Sequence, residues 1–207
     1  MSTNKAMNKP VAGAAVGAAR TKAVTDLIEK IKDSNPEVRT KAWLGAGEVG
    51  WPAVPALAEV MADENLEVAR AAKRALWKIV RHAGRPGADE ERQSVAAHLS
   101  RLLADDRPVA VRREALWMLS EIGEKELIKP IAGLLTNKEL REDARMVLER
   151  IGDKASVAAL EAGFKTAPEE FKLNLAQSIR KRGKKVRGYE CIKLVPTKQT
   201  AVKALPK

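Results

Sequence analysis

The sequence predicts an all-α protein, a right-handed α-solenoid of about five stacked helical hairpins. One apolar pattern recurs along the chain at helical spacing, and recurrence every 20–50 residues or so is the signature of stacked repeats. The composition agrees, because hydrophobic residues make up 45% of the 207 residues while aromatic residues make up only 3%. Such a mixture, rich in Ala and Leu, favours closely packed helices over strands.

The recurring pattern defines the second helix of each hairpin. An apolar residue, often followed directly by Arg, has small or apolar residues four, eight and eleven positions later. These offsets lie within about 80° of one another on a helix, so they form a single apolar stripe. The five copies begin at Val38, Val68, Val111, Leu140 and, more weakly, Phe171.

Glycine often follows the stripe, and we expect it to end the helix in a left-handed conformation. The four glycines in this position are Gly50, Gly123, Gly152 and Gly183.

A second apolar segment precedes each stripe and predicts the first helix of the hairpin. These segments cover residues 24–31, 54–61, 95–103, 127–135 and 157–164. Turn-forming residues separate the two segments of each pair, and several are prolines suited to the first turn of a helix. The second helices are therefore predicted to begin near Asn35, Asn65, Arg107, Asn137 and Ala167.

The net charge of +11 is concentrated at the two ends of the chain. Residues 1–22 carry four basic side chains and no acidic one, and residues 183–207 carry seven basic side chains and one acidic one. Residues 23–182 are close to neutral, and we expect them to form the folded body. We expect residues 1–22 to be a flexible basic arm, with a targeting peptide as the alternative. Residues 183–207 are expected to be a disordered basic tail, with docking on the last repeat as the alternative.

Two stretches of the sequence resemble a known family. The run from Asp33 to Ala42 and the run from Val111 to Gly123 resemble HEAT repeats, most closely the short type first named for phycobilisome lyases. The resemblance implies a helical solenoid over residues 23–182, and the family includes scaffolds, lyase subunits, regulatory domains and a few nucleic-acid enzymes. The second repeat departs from the pattern at Ala69 and Val80. Its helix is predicted to continue to about His82, followed by a long loop over residues 83–91.

Catalytic motifs are absent from the sequence, so we expect no enzyme, no metal and no cofactor. The two histidines, His82 and His98, have no cysteine or second histidine at zinc-binding spacing. Cys191 lies in the basic tail without a nearby histidine, and a single cysteine gives no sign of an oxidising compartment. A cytoplasmic location is expected, and no stretch approaches the 20 or so apolar residues of a membrane span.

The arginines directly after the first stripe residue are expected to hold the turns of the repeats in place. They are Arg39, Arg112 and Arg141. In the repeats that this sequence resembles, such arginines and nearby aspartates tie neighbouring turns together.

The side of the second helices opposite the stripe is the candidate binding face, because stacked hairpins usually place these helices on the concave side. Three of the four tryptophans fall there with arginines between them; Trp51 is expected in a turn between repeats. The residues expected to contact a partner are Trp43, Arg70, Lys73, Arg74, Trp77, Arg113, Trp117, Arg145 and Arg180. Leu44, Leu116, Met146 and Gln177 complete this surface.

Two interpretations of these residues remain open. Trp and Arg are the residues of binding hot spots, but tryptophans here could equally fill gaps between repeats. The first functional hypothesis is a non-enzymatic scaffold that binds a protein partner on the concave face. The alternative is a nucleic-acid or polyanion binder that uses residues 1–22, residues 183–207 and the Arg/Trp surface. A third alternative, an accessory lyase-like subunit, is implied by the family resemblance alone.

Overall fold

The computed structural model describes residues 12–123 and 125–190, and within these ranges every regular element is helical. Ten α-helices lie in the described ranges, together with short 3₁₀ turns at Trp51–Ala53, Lys125–Leu127 and Leu134–Thr136. The helices are α1 (Ala12–Ile31), α2 (Pro36–Val49), α3 (Val54–Val60), α4 (Leu66–Ala83), α5 (Asp89–Arg101), α6 (Val109–Ile122), α7 (Ile128–Gly133), α8 (Arg141–Ile151), α9 (Lys154–Thr166) and α10 (Glu169–Lys181).

The helices pair in chain order into five hairpins, which confirms the predicted α-solenoid. The odd-numbered helices are the first helices of the hairpins and the even-numbered helices are the second. In two loops an asparagine side chain caps the N-terminus of the second helix. The side chains of Asn35 and Asn65 accept hydrogen bonds from the backbone N–H groups of Glu37 and Glu67, at 2.9 and 3.0 Å, as N-cap residues do.

The predicted helix starts agree with the structure to within two residues in four of the five hairpins. The exception is α8, which begins at Arg141 rather than near Asn137. The side chain of Asn137 accepts hydrogen bonds from the N–H groups of Glu139 and Leu140. The Asn137 side chain thus holds residues 138–140 in a separate turn ahead of α8.

The apolar stripes form the core. Leu76, Leu119 and Leu148, which occupy the same stripe position in three repeats, are each no more than 1% exposed. Val38, the first stripe residue of the first repeat, is only half-buried. No described hairpin lies beyond α1 and α2 to cover this end of the stack.

Two segments, the N-terminal arm and the loop after α4, differ from the sequence-based expectation. Residues 12–22, expected in a flexible arm, form the first half of α1, in keeping with the high helix propensity of Ala; residues 1–11 lie outside the described part. The α4 helix ends at Ala83 and α5 begins at Asp89. The predicted long loop after α4 is therefore shorter, because acidic residues at the start of α5 favour a helix N-terminus.

Gly123 does not take the left-handed conformation that the sequence predicted, since its φ is −66°. Gly152 does, with φ 65° and ψ 14°. At Gly123 a side chain is excluded for another reason: a Cβ atom would lie 2.4 Å from the carbonyl oxygen of Leu119.

The second helices of successive repeats lie side by side along the stack. α2 packs closely on α4, and α6 packs closely on α8, whereas the contacts between the corresponding first helices are sparser. Residues of α2, α4, α6, α8 and α10 that point away from the stripe therefore share one surface, which we call the inner face.

Truncating the stripe should destabilise the whole array. We expect Leu119→Ala and Leu148→Ala each to lower the free energy of unfolding by about 2–5 kcal/mol, because both side chains are fully buried. Arg74→Ala, at an exposed position of α4, should lower it by no more than about 1 kcal/mol. Urea denaturation of the three variants measures the difference, and equal losses would show that the buried and exposed faces are wrongly assigned.

Candidate functional site

The inner face is held together between repeats by paired side chains. Lys73 and Trp77 lie one turn apart on α4 and both reach Glu114 on α6. The indole Nε1 of Trp77 donates a hydrogen bond to one carboxylate oxygen at 2.6 Å, and Lys73 Nζ lies 2.7 Å from the other. Glu114 is only 7% exposed, and each of its carboxylate oxygens has a partner on the neighbouring repeat. We call this arrangement an indole–carboxylate clamp.

The same clamp occurs one repeat later. Arg113 and Trp117, again one turn apart, reach Asp143 on α8. Arg113 Nε lies 3.0 Å from one carboxylate oxygen, and the indole Nε1 of Trp117 donates to the other at 2.7 Å. Glu114 and Asp143 both stand three positions after the first stripe residue of their repeat. The repeated spacing shows that the clamp belongs to the repeat architecture.

Between α8 and α10 the charges are exchanged, so that the earlier helix carries the carboxylate. Glu149 of α8 accepts hydrogen bonds from Lys181 Nζ and Ser178 Oγ, both at 2.6 Å, and lies 3.1 Å from Arg145 Nη1. Burial raises the pKa of Glu149, but the hydrogen bonds from Lys181 and Ser178 and the charges of Lys181 and Arg145 outweigh it, so the pKa is lowered overall.

The basic side chains in the middle of α4 have a different environment. Arg74 and Lys78 lie over the ring of Trp43 on α2, at 5.8 and 5.9 Å from its centroid, and Arg81 lies over Trp77 at 5.5 Å. These are cation–π distances. None of the three pairs with a carboxylate in the described part of the chain. We call Arg74, Lys78 and Arg81 the α4 ridge.

Most of the predicted inner-face residues are therefore engaged with neighbouring repeats. Arg70 pairs within its own helix with Glu67 at 2.7 Å, and Trp117 stays 42% exposed although its indole N–H is bonded. Leu116 was predicted on this face but is fully buried, because α6 lies in the middle of the stack and is covered on more than one side. Met146 is half-buried against the core.

Arg180 holds the chain that follows α10. Its guanidinium donates to the carbonyl oxygens of Val186, Gly188 and Tyr189. The ring of Tyr189 packs edge-on against Phe164. Residues 183–190 thus dock on the last repeat, which was the alternative prediction, and are not disordered. Residues 191–207, including Cys191, lie outside the described range.

Two of the three turn arginines, Arg39 and Arg112, hold loops, as predicted. Arg39 donates to the carbonyl oxygens of Asp33 and Ser34. Arg112 is 4% exposed and reaches the carbonyl of Leu103 and the carboxylate of Asp105.

Arg141 instead contacts the next repeat, pairing with Glu170 at 3.3 Å and lying over the ring of Phe171.

The histidines are accounted for by packing contacts. His98 stacks on Trp51 with 4.6 Å between ring centroids, which places Trp51 between repeats as predicted. His82 packs against Gly47 of α2. Over the described residues, no three His, Cys, Asp or Glu side chains are grouped so as to hold a metal ion. None of the helices in the described ranges has the length and apolar character needed to cross a bilayer.

The sequence analysis did not identify Glu114 or Asp143, and it did not identify Lys78 or Arg81. A signal for the clamps is present in the sequence: a basic residue and a Trp four positions apart in one repeat, and a carboxylate at a fixed position in the next.

The first clamp should contribute measurably to stability. We expect Trp77→Phe and Glu114→Gln each to cost about 1–3 kcal/mol, since each leaves a buried or half-buried polar group without its partner. A double-mutant cycle measured by urea denaturation should give a coupling energy of at least about 0.5 kcal/mol. Glu67→Gln, which breaks only the exposed pair with Arg70, is the control and should cost little. Strictly additive losses at Trp77 and Glu114 would contradict the clamp.

The contribution of Glu149 should depend on pH. Because its pKa is lowered in the folded protein, its stabilising contribution is fully present above the ordinary value and is lost as the pH falls through the lowered pKa. Glu149→Gln should therefore destabilise the protein by about 1–2 kcal/mol at neutral pH, and the gap from the wild type should close in acid. Glu121→Gln, which breaks a surface pair with Arg150, is the control; a gap unchanged by acid would contradict this role of Glu149.

The sequence was compared with family models, curated proteins and solved structures. A family model described as HEAT repeats matches residues 3–77 and 95–180. Two crystal structures of engineered proteins are each 20% identical and cover 84% of this chain, and 85% and 86% of their own chains, with TM-scores of 0.41. A designed armadillo repeat protein in complex with the peptide (KR)4 is 21% identical over 81% of this chain and 84% of its own, with a TM-score of 0.42. Comparison with curated proteins gave no match. Since the family match extends over most of the sequence, the chain belongs to the HEAT-repeat family.

Proposed function

We propose that the protein is a non-enzymatic scaffold that binds a protein partner on its inner face. The observation that carries the proposal is that several side chains of this surface are held by contacts with the neighbouring repeat in the protein alone. The two indole–carboxylate clamps tie Lys73, Trp77, Arg113 and Trp117 to carboxylates of the next repeat. Side chains that are already ordered lose little entropy on binding, which is the general advantage of a preorganised surface.

Exposed apolar side chains on the inner face support a protein partner. Leu44 on α2, Trp117 on α6 and Leu173 on α10 are 50%, 42% and 41% exposed. They lie on the side of their helices that points away from the core. Apolar and aromatic anchors surrounded by charged groups are the usual composition of a protein interface.

Nucleic-acid binding is the second candidate, and the α4 ridge is the observation that favours it. The neighbouring helices oppose it, because carboxylates accompany the inner-face cations Arg113 and Arg145 of α6 and α8. Glu142, Asp143 and Glu149 on α8 and Glu121 on α6 interrupt the positive potential that a phosphate backbone follows. This balance of charges suits a protein surface better than a polyanion.

The proposal is tested by site-specific photo-crosslinking in cell extract. A photoreactive amino acid replaces Leu44 or Leu173 on the inner face, and in matched controls it replaces Gln93 on α5 or Lys129 on α7, which are exposed on first helices. We expect one protein species to crosslink through both inner positions and through neither control position.

Equal crosslinking from both faces would contradict an inner-face site. A crosslinked species that is destroyed by nuclease and not by protease would replace the scaffold with the nucleic-acid alternative.

A further inference from the structure

We propose that the α4 ridge binds an acidic segment of the protein partner. This inference rests on the proposed scaffold function and names the chemistry that the inner face recognises: two or three carboxylates within about 10 Å of one another, on one short stretch of polypeptide.

The first step of the argument is charge. Helix α4 carries five Lys and Arg side chains and one acidic residue, Glu67. Arg70 is neutralised by Glu67 and Lys73 by Glu114, at 2.7 Å in each pair. The remaining three cations form the α4 ridge, and within residues 16–123 and 125–190 no carboxylate neutralises them. On α6 and α8, by contrast, the inner-face arginines Arg113 and Arg145 each have a carboxylate partner.

The second step is the position of the three cations. Residues 74, 78 and 81 are four and three positions apart, so they lie on one side of α4, and they extend over about 10 Å of helix at 1.5 Å per residue. An extended peptide places alternate side chains about 7 Å apart on one side. Two acidic residues separated by one residue, or three in a helical segment at the same spacing as the ridge, would match these positions.

The third step is how the arginines are held. Arg74 and Arg81 each lie over an indole ring, and Trp43 and Trp77 are themselves packed against the core. A guanidinium that rests on a ring keeps its N–H groups in its own plane, where they can donate two parallel hydrogen bonds to a carboxylate. The indole rings thus support the arginines and leave their donors available.

The same contacts argue against single-stranded nucleic acid at this position. Base stacking needs exposed ring faces, but Arg74, Lys78 and Arg81 already lie over the rings of Trp43 and Trp77. A duplex is disfavoured by width. Neighbouring helix axes lie about 8–10 Å apart, whereas the phosphates of a duplex border a groove about 12 Å wide. The phosphates of a duplex bound at α4 would therefore also meet the carboxylates of the neighbouring helices, which repel them.

The experiment is a fluorescence-anisotropy titration of the full chain with a labelled peptide of alternating glutamate and alanine. The test variant is Arg74→Gln/Arg81→Gln. The matched control is Arg101→Gln/Lys129→Gln, which removes the same charge from exposed positions on α5 and α7. We expect the ridge variant to bind the peptide at least about tenfold more weakly than the wild type, and the control to change affinity by less than about twofold. Raising the ionic strength should weaken wild-type binding.

Equal losses in both variants would mean that bulk charge, including the basic ends of the chain, attracts the peptide, and would overturn the inference. Absence of wild-type binding would overturn it as well. The comparison ligand is a single-stranded oligonucleotide of equal charge. If it binds more tightly than the peptide, and if its binding is lost only in the ridge variant, the ridge is reassigned to nucleic acid. If inner-face crosslinks to a protein persist unchanged in the ridge variant, the scaffold function stands and only the acidic specificity fails.

Discussion

The structure depends on one constraint: a single hairpin of this chain cannot bury its own apolar stripe. Each stripe is covered only when a neighbouring hairpin stacks on it. Leu119 and Leu148, inside the stack, are completely buried, whereas Val38 at the open end of the first repeat is not. Stability therefore comes from contacts between repeats, and the position of each hairpin relative to its neighbours is fixed by the packing of small and large side chains along the stripes.

The inner face follows from that same packing. Once α4 and α6 are aligned by their stripes, a carboxylate three positions after Val111 comes within reach of Lys73 and Trp77, and the alignment of α6 with α8 repeats the arrangement at Asp143. The clamps neutralise Lys73 and Arg113, and ion pairs within single helices neutralise Arg70 and Arg145. Arg180 of α10 has its donors occupied by the carbonyl oxygens of the chain that follows it. The α4 ridge is thus where the proposed preference for a short acidic segment resides.

The sequence predicted the parts of the structure that are encoded locally. Stripe spacing, turn residues and N-caps such as Asn35 and Asn65 depend on residues a few positions apart, so hairpins and buried faces could be read directly. The pairing of Trp77 with Glu114 depends on the register between helices that are 37 residues apart, which one sequence without a repeat-by-repeat alignment does not define. The burial of Leu116 and the contacts of Arg180 with the chain after α10 were not predicted, for a similar reason. Their surroundings are set by other segments, a neighbouring repeat and residues 186–189, and not by position on their own helix.

The central claim is that an acidic partner meets the inner face at α4. The four tryptophan indole N–H groups provide natural reporters, because Trp43 and Trp77 lie beneath the ridge while Trp51 stacks on His98 between repeats. The most direct measurement is an ¹⁵N–¹H NMR titration of the full chain with an acidic peptide. The account predicts that the indole signals of Trp43 and Trp77 shift progressively while that of Trp51 stays in place. A bound peptide that leaves Trp43 and Trp77 unshifted, or that moves only Trp51, would contradict it.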